Sequence, residues 1–284
     1  MNETQVGPGV YTGMAMDEYH AIDAASNSRL SRLLKSPAHL KAYLNEPPEE
    51  TTALLMGRAG HCAILEPDDF PARYRCGPDG DKRTKAVKEA WDALEAEVGT
   101  GGVLRRSDYE ACLRMRDSVH RSRTAKAMIS GSGEVELSYL WEDKESGLLC
   151  KARMDRHSPD LPGGTIVDVK TTRSASRREF ERTIFSFGYH RQGAFYLEGA
   201  KVRKLPARHF VILAVEKTPP YAVAVYRLTE GALSAGEEQI RPLLMRYAEC
   251  KARNEWPGFP DEVVDVALPD YAWRQIDDEL QEVA

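Results

Sequence analysis

The chain has 284 residues, of which 29% are charged and 42% are hydrophobic, and its formal net charge at pH 7 is −5. This length allows a large buried core, and the acidic balance argues against a protein coated in nucleic-acid-binding surface. No apolar run is long enough to span a bilayer, and the N-terminus lacks a basic segment followed by an apolar one. We therefore expect a globular protein without a membrane partner, located in the cytoplasm of a bacterial host and encoded by that host or by a phage.

The five cysteines are scattered and odd in number, and no two of them form a Cys-x-x-Cys pair. This pattern predicts neither a disulfide framework nor a zinc site.

The first part of the chain is predicted to be irregular and then helical. Residues 1–18 are polar and contain Gly and Pro, which indicates an irregular N-terminal lead-in. Ser26 and the pair Ser36-Pro37 are typical of residues that begin helices. The apolar spacing from Leu54 to Leu65 predicts a further helix, which contains His61.

The next segment gives weaker signals. We expect a strand from Phe70 to Cys76 and a helix from Lys85 to Glu97, although the role of residues 68–102 stays open. Ser107-Asp-Tyr-Glu110 has the form of a capping box, so one helix is predicted from there to about Met128.

Alternating apolar and polar residues then predict strands. Glu134 to Glu142 alternates cleanly; Glu136 is a candidate for a further acid of the site, although an exposed strand carboxylate is the favoured interpretation. The run that ends at Asp155 is joined through a Pro- and Gly-rich loop to Thr165-Ile-Val-Asp-Val-Lys170, so these two runs should be neighbouring antiparallel strands. Asp168 and Lys170 are two apart and therefore share a face.

Two carboxylates and an amine that converge in this way meet the needs of metal-dependent phosphodiester hydrolysis. Hard oxygen ligands hold a magnesium ion, and a cation orients water and offsets developing negative charge. An Asp-x-Lys at a strand end is also typical of an exposed, salt-bridged strand, so the flanking segments decide between the two interpretations. These segments are the His61 helix and a downstream helix on which Gln192 and Tyr196 share a face.

Basic residues are concentrated next to this region. Lys170, Arg173, Arg177, Arg178, Arg182 and Arg191 all lie within a short stretch. Such a patch suits a phosphate backbone despite the acidic total, and a solvated helix face is the alternative. Ser176-Arg-Arg-Glu179 is predicted to cap a basic helix that ends at Gly188. Further on, two strands (208–216 and 221–228) and a helix (237–253) are expected before a loop-like tail from about residue 255.

Four ordered elements resemble a known family. Gly57-x-x-x-His61, Asp155, Asp168-x-Lys170 and Gln192-x-x-x-Tyr196 are similar to the motifs of the RecB-type branch of the PD-(D/E)XK nucleases, and most closely to the RecE-like exodeoxyribonuclease VIII domains. The similarity runs from about Tyr19 to the tail. It implies a single nuclease domain over residues 19–284 with an α/β, restriction-endonuclease-like core, in which helices flank both faces of a central mixed β-sheet. No Pro precedes either acid, which departs from the pattern in the family's name.

The resemblance also implies roles for individual residues. Metal ligands would be His61, Asp155, Asp168 and the backbone carbonyl of Val169. Lys170 would serve the attacking water, with Asp155 and Asp168 completing the catalytic set. DNA near the scissile phosphate would be contacted by Gln192 and Tyr196, and the adjoining basic patch contributes Arg173, Arg177, Arg178 and Arg191.

The activity implied is that of a Mg²⁺-dependent exodeoxyribonuclease, with Mn²⁺ able to substitute, which degrades double-stranded DNA ends in the 5′-to-3′ direction during phage-type recombination. Family analogy adds a ring of three or four copies and a RecT-like single-strand annealing partner. An iron–sulfur cluster is not expected, because Cys250 is the one cysteine after the Gln–Tyr element. Open alternatives are a DNA-repair or restriction-like endonuclease, a catalytically silent nucleic-acid-binding module, and a hydrolase of small phosphate esters.

Overall fold

The computed structural model describes residues 6–46, 51–81, 83–99 and 101–283. Within these ranges the strands are β1 (Gly9–Tyr11), β2 (Arg75–Cys76), β3 (Val103–Leu104), β4 (Glu134–Glu142), β5 (Leu149–Ser158), β6 (Thr165–Thr172), β7 (His209–Glu216) and β8 (Val223–Arg227). The helices of the same ranges are α1 (Met16–Ala21), α2 (Asn27–Leu33), α3 (Pro37–Asn45), α4 (Thr52–Leu65), α5 (Phe70–Arg73), α6 (Lys85–Val98), α7 (Arg106–Arg121), α8 (Arg123–Ile129), α9 (Arg177–Phe187), α10 (Tyr189–Val202), α11 (Glu230–Arg253) and α12 (Asp270–Val283).

In the described residues, the main sheet has six strands in the order β1-β4-β5-β6-β7-β8. All neighbours are antiparallel except β6 and β7, which run parallel and are joined by the crossover through α9 and α10. The fold class predicted from the sequence, a mixed α/β core with the two acid-bearing strands in the middle of the sheet, is confirmed.

Apolar side chains cover both faces of this sheet. Ile166, Phe210 and Ile212 point toward one face, where they pack with Phe195 of α10 and Leu244 of α11. The residues next to them in the chain point the other way and pack with α4 and α7; they include Val167, Val169, Leu213 and Val215. A strand pair that is parallel and buried on both faces requires this continuous run of apolar residues.

The predicted helix boundaries hold where a side chain caps the backbone. Ser26 Oγ accepts a hydrogen bond from Arg29 N, and Ser36 Oγ accepts one from His39 N with Pro37 at the first helical position. Gly188 takes the left-handed conformation (φ 68°) that ends α9 before α10 begins. Because these signals act through neighbouring residues, they can be recognised in the sequence alone.

Three predictions for the middle of the chain are wrong. Residues 70–76 form the short helix α5 and the two-residue strand β2 rather than one strand, because Phe70 packs into the core as part of a helical turn. The helix predicted from residue 107 to about 128 is two helices, and Ser122 caps the second through its hydroxyl. Neither Ser107, which lies inside α7, nor Ser176 acts as a side-chain cap.

The ends of the described chain are also more regular than expected. Part of the lead-in, Gly9–Tyr11, pairs with β4 at the sheet edge, and α1 begins at Met16; residues 1–5 lie outside the described residues. The tail contains α12, and Trp256 packs edge-on against Tyr247 at 6.1 Å. Among the described residues, no helix combines the length and the hydropathy needed to cross a membrane.

Candidate active site

The two acids lie where β5 and β6 separate. The ladder between these strands runs from the pair Ser158–Thr165 to the pair Arg156–Val167. The next residue on each strand is an acid, Asp155 on β5 and Asp168 on β6. Past the end of the ladder the strands part, so carboxylates rather than backbone groups fill the space between them.

Asp155 occupies this fork by bonding to the backbone of the other strand. Its Oδ2 accepts a hydrogen bond of 2.7 Å from Val169 N, which the diverging ladder leaves without a carbonyl partner on β5. The same oxygen lies 3.4 Å from His61 Nδ1. Burial raises the pKa of Asp155, and the charge of Lys170 and the Val169 N–H offset part of that rise.

His61 reaches the fork because α4 packs closely on β6. Gly60 lies against Thr171, and an added Cβ there would come within 3.3 Å of the threonine methyl. Burial lowers the pKa of His61 to about 4, and the nearby Lys170 charge acts in the same direction. The imidazole is therefore neutral at physiological pH, which is the form that can bind a metal ion.

Asp168 is contacted by two of the predicted site residues. Gln192 Nε2 donates a hydrogen bond of 2.7 Å to Oδ1, and Lys170 Nζ forms an ion pair of 2.7 Å with Oδ2. Burial raises the pKa of Asp168 to about 6 despite the attraction of Lys170, and the charge of Asp155 adds to the rise. The carboxylate is thus held in place by one residue of its own strand and one residue of α10.

Lys170 is an ammonium ion in this arrangement. Burial alone would lower its pKa, but the combined charges of Asp168 and Asp155 outweigh burial and raise it. Its Nζ also lies 4.8 Å from the centre of the Tyr189 ring, a cation–π contact. A protonated lysine donates hydrogen bonds and stabilises negative charge, and it cannot accept a proton from water.

The remaining predicted residues fall into two groups. Tyr196 lies on the same face of α10 as Gln192 and is packed edge-on against Tyr139 and Phe210; burial raises its pKa, and Asp168 and Asp155 add to the rise. Arg173, Arg177 and Arg178 are exposed on the segment that follows β6.

Arg191 does not belong to the exposed basic surface. It is buried and donates hydrogen bonds to Ser31 Oγ at 2.8 Å and Gln239 Oε1 at 3.2 Å, so it joins α10 to α2 and α11. The sequence prediction grouped it with the other arginines because linear proximity does not indicate which side of a helix faces the core.

Glu136 is half-buried near Asp155, whereas the sequence favoured an exposed strand carboxylate over a further acid of the site. It lies between the β4–β5 pairs Val135–Arg156 and Leu137–Met154, at the level of Asp155 on the neighbouring strand. Burial raises the pKa of Glu136 to about 7, and the charge of Asp155 contributes. Its φ of 53° is rare for a residue with a side chain, and such strain is often kept at functional sites. The positive φ could not be predicted from the sequence, because apolar and polar residues alternate along β4 without interruption.

The donor chemistry suits a divalent metal ion. No three His, Cys, Asp or Glu side chains of the described ranges are grouped closely enough to hold an ion as they stand. However, two buried carboxylates have raised pKa values, a neutral imidazole lies next to one of them, and Asp168 Oδ2 accepts no well-directed hydrogen bond. A cation would compensate this buried negative charge, so the residues fit the ion that the resemblance implies.

A wide cleft of the described surface lies away from these residues. An open cleft of about 1070 Å³ is found between the C-terminal part of α10 and the β5–β6 loop, with Glu198, Lys201 and Arg208 in its wall. None of the predicted catalytic residues lines it. Cavity size therefore does not identify the site, whereas the convergence of buried charged groups does.

Comparisons with known proteins bear on the fold and on the family. A solved structure from Eubacterium rectale, described as a "putative exonuclease", is similar over 91% of this chain and 97% of its own, with a TM-score of 0.58 and 15% identity, and thus shares the fold. A second structure, SSO0001, covers 76% of this chain and 85% of its own at 14% identity; its TM-score of 0.27 supports no structural argument. A search of the curated proteins found no match.

The profile of one family matches residues 26–264. Since this match covers most of the chain, the protein belongs to the family described as the PDDEXK-like domain of unknown function (DUF3799).

Proposed function

We propose that this chain is a metal-dependent deoxyribonuclease that hydrolyses phosphodiester bonds at the ends of double-stranded DNA. The observation that carries the proposal is the fork between β5 and β6, where Asp168 is buried, Asp155 is partly buried and Lys170 is paired with Asp168. Membership of the PDDEXK-like family supports the nuclease class. The name of the similar Eubacterium rectale protein is consistent with exonuclease activity, which here remains part of the proposal.

A magnesium ion, or manganese in its place, would be held by His61, Asp155, Asp168 and the carbonyl of Val169. When bound, such an ion lowers the pKa of coordinated water and offsets charge on the phosphate. The hydrogen bond from Val169 N orients Asp155, and the one from Gln192 orients Asp168. Each acid is thus oriented by a neutral donor that adds no charge to the site.

Lys170 is proposed to act on the attacking water and on the phosphate. Because its ammonium is protonated and lies at the fork, it can donate a hydrogen bond to a water molecule or to a non-bridging phosphate oxygen. That contact stabilises negative charge as it develops in the transition state. Gln192 and Tyr196, which share one face of α10, are proposed to contact the DNA next to the scissile phosphate.

Exposed arginines near the site are proposed to bind the DNA backbone. Arg173, Arg177 and Arg178 lie between β6 and the first turn of α9, so they adjoin the strand that carries Asp168 and Lys170. Guanidinium groups bind phosphate oxygens through paired hydrogen bonds. A local basic surface of this kind attracts DNA even though the whole chain is acidic.

Several finer properties are proposed from the sequence resemblance alone. These are 5′-to-3′ polarity, a role in phage-type recombination, assembly into a ring of three or four copies, cooperation with a RecT-like annealing protein, and a cytoplasmic location. Light scattering on the purified protein tests the ring directly, because a monomeric mass would contradict the proposed assembly.

The function is tested by digesting end-labelled linear duplex and covalently closed circular plasmid in parallel, with Mg²⁺ or with chelator. We expect Mg²⁺-dependent loss of the linear DNA alone, and no loss with Asp168→Asn. The labelled end that is released first reports polarity. Cleavage of the circle would favour an endonuclease of the same fold, and absence of cleavage on both substrates would contradict the proposal. DNA binding without cleavage would indicate a silent binding module, and hydrolysis of small phosphate esters alone would indicate a hydrolase of that class.

A further inference from the structure

Two phenylalanines next to the candidate site are exposed to solvent. The side chains of Phe185 and Phe187, in the last turn of α9, are 73% and 68% exposed. Large aromatic residues are normally buried because they carry much apolar surface. Two of them in one turn, beside buried charged residues, indicate a surface that binds something.

Both rings stack on aromatic side chains at the start of α10. Phe187 stacks on Tyr189 with ring centres 5.8 Å apart and planes at 22°. Phe185 stacks on His190 at 5.9 Å and 13°. Tyr189 in turn contacts Lys170 Nζ at 4.8 Å. Phe187 and Tyr189 thus form a row that extends from the candidate catalytic lysine out to solvent, and Phe185 on His190 forms a second stack beside it in the chain.

Positive charge borders this row. Arg178 and Arg182 are exposed on α9, and Arg173 is exposed just before it. Within the described ranges these three arginines have no ion-pair partner, whereas Arg177 is paired with Glu181 at 2.9 Å. Unpaired guanidinium groups beside exposed rings are the combination that binds single-stranded nucleic acids, because one recognises phosphate and the other recognises bases.

We propose that Phe185 and Phe187 form a platform on which the bases of an unpaired DNA strand stack as the strand enters the site. This inference rests on the proposed nuclease function and specifies its substrate. The strand that reaches Lys170 would be separated from its complement, because bases within an intact duplex are stacked on one another and have no free face for a side chain.

The surroundings favour DNA over a second copy of this chain as the occupant. An interface between copies would bury Phe185 and Phe187 against apolar groups, and the cores of such interfaces are depleted in charge. Here three arginines without an ion-pair partner in the described ranges lie on α9 or just before it, and the row of Phe187 and Tyr189 leads to Lys170 rather than away from the site. Phosphates satisfy the charges and bases cover the rings.

The experiment measures binding in chelator, so that it does not depend on cleavage. The probes are a fluorescein-labelled single-stranded oligonucleotide, the same strand with internal abasic sites, and a strand carrying 2-aminopurine. The variants are Phe185→Ala and Phe187→Ala. Phe259→Ala is the control, because Phe259 is also 73% exposed and also contacts one histidine ring, His39, at 5.5 Å. Circular dichroism checks that each variant remains folded.

Each platform variant should bind the normal strand about tenfold more weakly, whereas the control should match the wild type. Abasic sites should weaken wild-type binding similarly, and the two losses should not add, since base and ring are removed from the same contact. Quenching of 2-aminopurine should be lost with the platform variants. Equal binding by all variants, or fully additive losses, would overturn the platform. In that case, Mg²⁺-dependent cleavage by the wild type would still support the nuclease proposal. If the wild type binds no DNA and cleaves none, both proposals fail. If either Phe→Ala variant converts an oligomer into a monomer in light scattering, the surface is an interface between copies and the platform is wrong.

Discussion

Gln192 Nε2 donates a hydrogen bond of 2.7 Å to Asp168 Oδ1, which joins residues 24 positions apart in the chain. This contact holds the carboxylate of β6 against α10, while Lys170 holds the other oxygen from within the strand. The acid is therefore oriented from two directions before any ligand arrives. The predictions below follow from this arrangement and from the packing around it.

Gln192→Ala should change the pH dependence of cleavage as well as its rate. Loss of the donor removes stabilisation of the ionised form, so the pKa of Asp168 should rise above its present value of about 6. The acidic limb of the rate profile should move to higher pH, with a loss of about tenfold near neutrality. The measurement is the rate of linear-duplex digestion from pH 5 to 9. Gln275→Ala, on the exposed helix α12, is the control, and an unmoved acidic limb would mean that Gln192 does not act through Asp168.

Lys170→Met should reduce turnover far more than metal binding. The ammonium stabilises the attacking water and phosphate but competes with a cation for Asp168 Oδ2. We expect cleavage to fall at least about 100-fold, and Mn²⁺ affinity measured by calorimetry to stay equal or to increase. Lys201→Met, an exposed lysine of α10, serves as the control. A large loss of Mn²⁺ affinity would instead show that Lys170 is needed to organise the ligands.

Asp168→Asn should stabilise the metal-free protein at neutral pH. Burial raises the pKa of Asp168 from 3.8 to about 6, so between these pH values the folded protein binds a proton that the unfolded chain has released. Rising pH therefore lowers wild-type stability across this window, and the variant escapes that loss. The free energy of unfolding of the variant should exceed that of the wild type by an amount that grows from pH 4 to pH 6. Above pH 6 the difference should be on the order of 2 kcal/mol. Urea titrations in chelator measure it; a difference that does not depend on pH would contradict the assignment.

Glu136→Gln should weaken binding of a divalent ion. Glu136 lies at the level of Asp155, and the interaction of the two charges contributes to its raised pKa. Removing its charge makes the site less negative, so Mn²⁺ affinity should fall about fivefold in calorimetry. Glu134→Gln changes an exposed acid of the same strand and is the matched control. Equal Mn²⁺ affinities for both variants would indicate that Glu136 is a surface carboxylate that does not contribute to metal binding.

Gly236→Ala should destabilise the fold by about 1–3 kcal/mol. A Cβ at Gly236 would come within 2.5 Å of the His190 backbone oxygen, so α11 would have to move away from α10. Gly231 lies in the same helix, and a Cβ there meets no described atom within 4 Å. Gly231→Ala should therefore be neutral or stabilise the protein by up to about 1 kcal/mol. Thermal unfolding of the two variants compares them directly, and equal melting temperatures would contradict the close helix contact.

The sequence alone determined the features that depend on neighbouring residues. Alternation along residues 148–155 and 165–170 predicted the two central strands, and the side chains of Ser26 and Ser36 predicted helix starts, because period and capping act within a few residues. Spacing placed Asp168 and Lys170 on one strand face, and Gln192 and Tyr196 on one helix face. The family resemblance, not the spacing, implied that these faces meet, and Gln192 does contact Asp168. The RecE-type assignment within the PD-(D/E)XK nucleases stays a prediction.

Only the tertiary structure decided what each of these residues contacts. The hydrogen bond from Val169 N to Asp155 depends on where two strands part, and the burial of Arg191 depends on helices α2 and α11. Glu136 joins the site through a single residue with positive φ, and residues 70–76 follow the packing of Phe70 rather than their strand propensity. These outcomes are set by contacts between distant segments, whose energies exceed local preferences, and so they cannot be derived from periodicity along one chain.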